Sequence, residues 1–259
     1  MSMADIEQKK EAFGRLLTIM DDLREKCPWD RKQTFESLRK LTIEEMYELA
    51  DAILDQDLVG IEEEVGDLML HMAFYAKLGE EAGAFDMATL IQKECNKLVD
   101  RHPHVYGDLD VKDDEEVKRN WEQLKLQEKG KKSVLDGVPK RLPAITKAYR
   151  MQEKTATVGF EWDDVADVWK KVEEEQQELQ EALTSGDQKH IEEEFGDLLF
   201  ALVNYARFID VDPEAALERT NQKFKRRFEY IEDKSTKPLA QLSLAEMDKL
   251  WNDAKSPPA

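Results

Sequence analysis

Three features of the 259-residue sequence predict an all-α fold made of two tandem homologous helical domains. Apolar residues make up 41% and charged residues 37%, with only 11 Gly and 8 Pro, a mix that suits amphipathic helices better than a sandwich or barrel. The stretch IEEEVGDLML from Ile61 returns as IEEEFGDLLF from Ile191. The duplication also extends outward at a constant offset of 130 positions: Glu44, Glu45, Glu48 and Leu49 recur as Glu174, Glu175, Glu178 and Leu179, and Tyr75-Ala76 as Tyr205-Ala206. Past these motifs the register slips by four, and Lys97 and Arg101 match Lys223 and Arg227. A repeat of about a hundred residues is too long for a solenoid unit and fits a domain.

Taken in order, the first half predicts helices near 4–26, 35–55, 58–79 and 86–101, then one from Glu115 to Lys129 that carries Trp121. KLQEKGKKSVLDGVPKRLP follows, with Gly130, Gly137, Pro139 and Pro143 punctuating any helix. The domains are therefore expected at 1–124 and 144–259, with a linker at 125–143. The second half predicts helices near 143–154, 164–185, 188–208, 213–232 and 243–254, with Asp212-Pro213 and Ser243 as starts. CPWD at Cys27 and GFEWDD at Gly159 read as ordered loops, each burying an aromatic. Short turns at Asp55–Gly60 and Ser185–Lys189 imply antiparallel helical hairpins.

Several function classes are disfavoured. A formal charge of -19 argues against a nucleic-acid partner, because phosphate backbones would be repelled. No apolar run approaches the roughly 20 residues of a membrane helix, so no membrane partner is expected. The acidic and basic N-terminus lacks a signal-peptide core. Cys27 and Cys95 are too few and too distant for a disulfide framework or a CxxC site, which implies a reducing cytoplasm.

The chemistry lies in the duplicated acids. At 100° per residue, Glu64, Asp67 and His71 share one helix face, while Val65, Leu68, Met69, Met72 and Phe74 surround them. Such a helix, apolar nearly all round, should be buried on most sides. In the second half Asp197 is the only charged residue between Phe195 and Ala206, with Glu194 one turn before it. Glu45 and Glu48 are neighbours on the preceding helix, as are Glu175 and Glu178, so each hairpin can bring four acids together. With no Lys or Arg expected beside them, the acids would repel one another. Mg²⁺ or Mn²⁺ resolves this, since all-oxygen ligation suits hard divalent ions. Glu62, Glu63, Glu192 and Glu193 read instead as a solvated face, and His71, whose counterpart is Ala201, as a core histidine.

ExxE followed by E-x-x-D within E-x-G-D on the next helix resembles the MazG-like, all-α nucleoside triphosphate pyrophosphohydrolases. CPWD, RHPHVY from Arg101, GFEWDD, EEFGDLLFALVN and NQKFKRRF are similar to MazG stretches, and the resemblance spans essentially the whole chain. It implies hydrolysis of nucleoside triphosphates between the α and β phosphates, giving a monophosphate and pyrophosphate. It also implies Mg²⁺ held by Glu175, Glu178, Glu194 and Asp197, with Glu45, Glu48, Glu64 and Asp67 as the matching acids. Lys223, Arg226 and Arg227 would contact the triphosphate, and Trp251 would stack on the base. From the residues alone, KFKRR also fits a helix end with surface bases, and Trp251 also fits an anchor for the terminal helix. The first half has Lys97 and Arg101 without the extra Arg, so the second domain is favoured as the main catalyst. The family further implies a homodimer that completes a four-helix core. Of two rival readings, a ferritin-like oxidoreductase needs E-x-x-H pairs, which the sequence lacks. A helical adaptor would leave Asp67 and Asp197 unexplained.

Overall fold

The computed structural model describes residues 5–113, 116, 117, 120, 121, 124 and 133–255. Among them all regular structure is helical, in two compact units, Met1–Lys112 and Asp113–Ala259. None of these helices is long and apolar enough to cross a membrane. Both cysteines are free thiols.

The first unit contains α1 (Ile6–Lys26), α2 (Phe35–Leu54), α3 (Leu58–Glu81), α4 (Met87–Asp100) and the short α5 (Pro103–Tyr106). Each of α1 to α4 starts where the sequence offers a side-chain acceptor to the free amides of a first turn: Asp5, Thr34, Asp57 and Asp86 are the caps. Helices α2 and α3 form the expected hairpin, and Met20, Leu38, Phe74 and Leu78 are the core that seats α1 on it. Arg24 ties the far end together, giving two 2.8 Å bonds to the Glu81 carboxylate.

The second unit contains α6 (Ala144–Ala156), α7 (Val165–Ser185), α8 (Gln188–Phe208), α9 (Pro213–Lys234) and α10 (Leu244–Asp253). Asp212 and Ser243 cap α9 and α10 as predicted, the latter in a reciprocal box with Glu246. A bond from Lys237, and then the bonds from Ser243, depress the pKa of the Glu246 carboxyl to about 2. Gly186, at φ +71°, ends α7 in the left-handed conformation that glycine tolerates, so that α8 can return antiparallel. Helix α6 lies on α8 and is tied to α9 where Thr146 donates to Glu214 at 2.9 Å. Of the helix expected at 115–129, residues 116, 117, 120, 121 and 124 are described and are helical; its other residues and part of the expected linker fall outside the described residues.

Two expectations are corrected. The loop aromatics are not buried: Trp29 is 55% and Phe160 80% exposed. In the first loop Arg24 draws the Asp30 and Gln33 carbonyls inward, which turns the backbone rather than the ring toward the core. Helices α3 and α8 are also not buried on most sides. Val65, Met69 and Met72 are exposed on one and Phe195, Leu199 and Leu202 on the other. These triplets occupy identical places in the repeat, four and three residues apart, so each hairpin keeps one unpartnered apolar stripe.

Candidate metal centre and nucleotide cavity

In each unit the hairpin brings three of the four predicted acids together. Ligand oxygens of Glu45, Glu64 and Asp67 all lie within 4.8 Å of one another, and so do those of Glu175, Glu194 and Asp197. The geometry follows from the repeat: E-x-x-D places two acids one turn apart, and the partner helix contributes a third across the hairpin. Glu48 and Glu178, the fourth acids, stand beside the sets, close enough for their charges to act on Glu45 and Glu64 in the first unit and for Glu175 and Glu194 to act on Glu178 in the second.

Crowding has the expected electrostatic result. Burial, then the charges of Asp67 and Glu48, push the Glu45 carboxyl above its ordinary range. Burial, then Glu48 and Glu45, do the same to Glu64. In the second unit Glu178 is raised, first by burial and then by Glu175. Each cluster would therefore gain from a cation that restored the ionised forms. The donor set fits a hard divalent ion: every ligand atom is a carboxylate oxygen, and Glu64 Oε2 is buried with no hydrogen-bond partner. His71 is a core residue as expected, but its Nδ1 is also without a partner, and burial lowers its pKa.

Two further corrections concern the second cluster. Asp197 is exposed, and Glu175, at 7% exposure, is the buried member. The turn of α8 that carries Asp197 opens toward a cavity instead of packing against a neighbour. The acids also do not lack a base. Lys171 lies 2.8 Å from Glu175 and 2.7 Å from Glu174, and both bonds hold its pKa well above the usual lysine value. His190 stands 3.4 Å from Glu194. The repeat places Leu41 and Gly60 at the corresponding first-unit positions, so only the second cluster carries these partners.

The cavity beside this cluster measures about 480 Å³ and is lined by Lys171, Glu175 and Asp197 at one side and by Gln152, Phe160, Trp162, Phe200, Asn204 and Arg207 elsewhere. Nothing in the sequence singles out Gln152 on α6 or Asn204 and Arg207 on α8, which are uncharged or isolated side chains. Lys171 was detectable, four residues before Glu175 on one helix.

The predicted cationic residues form a different group. Lys223 and Arg226 are exposed on α9, and the Arg227 guanidinium lies 5.3 Å from the Trp251 ring centre. Phe224 packs on the same ring at 5.1 Å, so Trp251 fastens α10 to α9. None of Lys223, Arg226, Arg227 or Trp251 lines the cavity. In the first unit Lys97 pairs with Glu94.

A duplicated helical hairpin whose facing helices gather carboxylates beside a ligand-sized cavity defines an all-α acidic-site class. The sequence matches the MazG nucleotide pyrophosphohydrolase domain twice, over residues 33–106 and 164–231. It is 43% identical over 250 residues to the nucleoside triphosphate pyrophosphohydrolase/pyrophosphatase MazG of Thermotoga maritima, covering 94% of this chain and 95% of that one. It is 40% identical over 254 residues to the nucleoside triphosphate pyrophosphohydrolase of Escherichia coli K12, covering 94% and 97%. The uncharacterized protein YabN of Bacillus subtilis is 45% identical over 261 residues, which is 96% of this chain and 53% of YabN. The chain belongs to the MazG nucleotide pyrophosphohydrolase family.

Proposed function

We propose that the chain hydrolyses nucleoside triphosphates between the α and β phosphates, at the second unit, with Mg²⁺ or Mn²⁺ held by Glu175, Glu178, Glu194 and Asp197. The chain is a nucleoside triphosphate pyrophosphohydrolase by family and by the names of its full-length relatives. The observation that carries the finer reading is the Glu175, Glu194 and Asp197 cluster opening onto a cavity of about 480 Å³, within the usual size of a small-molecule site.

When bound, a divalent ion neutralises phosphate oxygens and lowers the pKa of the attacking water. The remaining work belongs to the chain. The acids fix the site from two helices of one rigid hairpin, which positions the scissile bond. One of the same carboxylates accepts the proton of the attacking water. Lys171, held on Glu174 and Glu175, keeps a permanent positive charge at the cavity wall. Lys223, Arg226 and Arg227 supply further positive charge for the triphosphate, with Trp251 beside Arg227. Glu45, Glu48, Glu64 and Asp67 form a second cation site whose role is structural, regulatory or separately catalytic.

The exposed apolar stripes of α3 and α8 favour a homodimer in which hairpins pair into four-helix cores. The cytoplasmic location proposed for the chain rests on its having only two, widely spaced cysteines.

Product analysis tests the reaction. Monophosphate and pyrophosphate should appear together from any hydrolysed triphosphate; a diphosphate with orthophosphate would place the cut at the other bond. Metal binding has an independent readout. Mg²⁺ should raise the melting temperature in a concentration-dependent way, because an ion that binds only the folded state stabilises it. No shift at millimolar Mg²⁺ would contradict the metal assignment.

A further inference from the structure

We infer that the two acid clusters grip a divalent cation unequally, the first unit more tightly, and that Lys171 is the residue that loosens the second. The inference rests on the metal reading above and adds a difference between two sites whose acids are the same.

The acids match position for position. Glu44, Glu45, Glu48, Glu64 and Asp67 recur as Glu174, Glu175, Glu178, Glu194 and Asp197, and in each unit three ligand atoms lie within 4.8 Å of one another. What differs is the base beside them. Lys171 stands one turn before Glu175 on α7, with Nζ 2.8 Å from Glu175 and 2.7 Å from Glu174. Glu175 is buried, so water screens its charge poorly, and an ammonium at this distance offsets much of it. Glu174 lies outside the ligand set and anchors Lys171, which keeps the positive charge beside the cluster. A cation entering the second site therefore meets one acid already paired and approaches a tethered charge of its own sign.

The first site offers no such competitor. Leu41 takes the place of Lys171, one turn before Glu45, and Gly60 takes the place of His190, which stands 3.4 Å from Glu194. Among the described residues no Lys, Arg or His pairs with Glu45, Glu64 or Asp67, and Glu64 Oε2 is buried without a hydrogen-bond partner. A cation there meets every acid unpaired, and it relieves their mutual repulsion in full. Over a range of free cation the first unit is thus full while the second is still filling, so the occupancy of the second follows the cation level.

Mn²⁺ binding to the full chain, measured by titration calorimetry at one pH and ionic strength, tests this. Two classes of site are expected, the tighter lost with Asp67→Asn and the weaker with Asp197→Asn. Lys171→Met should tighten the weaker class by about tenfold and leave the other unchanged, whereas Lys171→Arg, which keeps the charge, should not tighten it. Lys170→Met removes a neighbouring charge that pairs with Asp167 instead, and should change neither class by more than about twofold. No tightening with Lys171→Met, the same gain from Lys170→Met or Lys171→Arg, a single class of equal sites, or a tighter class that disappears with Asp197→Asn would overturn the inference. If Lys171→Met does not fold, Leu41→Lys decides: a first-unit affinity about tenfold weaker supports the inference, and an unchanged one overturns it. Mn²⁺ binding without the predicted order refutes the role of Lys171 alone, whereas no Mn²⁺ binding to the unsubstituted chain refutes the metal reading beneath it.

Discussion

Asp197→Asn is expected to lower Mg²⁺-dependent hydrolysis by about 100-fold or more, because it removes a charged oxygen from the metal cluster, and even partners that merely support such ligands cost 10- to 100-fold when lost. The substitution keeps the side-chain shape. Asp197 is exposed, and it shares its cluster with Glu175 and Glu194, so neutralising it also relieves repulsion in the metal-free protein. Stability should change by no more than about 0.5 kcal/mol, as for most surface substitutions. Steady-state hydrolysis and circular dichroism, measured on one preparation, check both halves of this expectation. Retained activity would remove Asp197 from the metal site; lost activity with lost helicity would make its role structural.

Much of the fold was legible because the signals for it are local. Caps such as Asp212 and Ser243 name their helix starts, and the short turns before Asp57 and after Gly186 force the hairpins. The acid clusters were legible for a related reason, since E-x-x-D spacing fixes a face and the duplication fixes the partner helix. Depth was less accessible. Helical periodicity gives the angle at which Asp197 leaves α8, but not which turn of α8 is covered. That depends on α6, whose Gln152 reaches Phe200 from 48 residues away. The exposed Trp29 likewise depends on Arg24 bonding two loop carbonyls, a contact with no periodic trace. Lys171 is legible only when the i to i+4 spacing is applied across charge signs, since it stands one turn before Glu175 at the head of a run of acids. The cavity polar groups Gln152 and Asn204 carry no charge or motif, and only the folded helices bring them together.

The division of labour between the units is the central claim, and both units hold comparable acid clusters, so metal binding cannot decide it. What separates them lies around the acids. The second cluster opens on a cavity with Lys171, Gln152 and Asn204 in its wall, whereas Leu41 and the buried Phe74 take the corresponding places of Lys171 and Asn204 in the first. A triphosphate needs charge and a binding surface as well as metal ions, and the second unit supplies both. Glu178→Gln should therefore remove most hydrolysis, by roughly 10- to 100-fold, as expected when a carboxylate bordering a metal set is lost. Glu48→Gln, the same change at the repeat-equivalent position, should leave most of it. Steady-state hydrolysis of both variants at saturating Mg²⁺, with circular dichroism as the folding control, is the most direct measurement. A loss confined to Glu178→Gln is the predicted result; a loss confined to Glu48→Gln, or equal losses in both, would contradict the account.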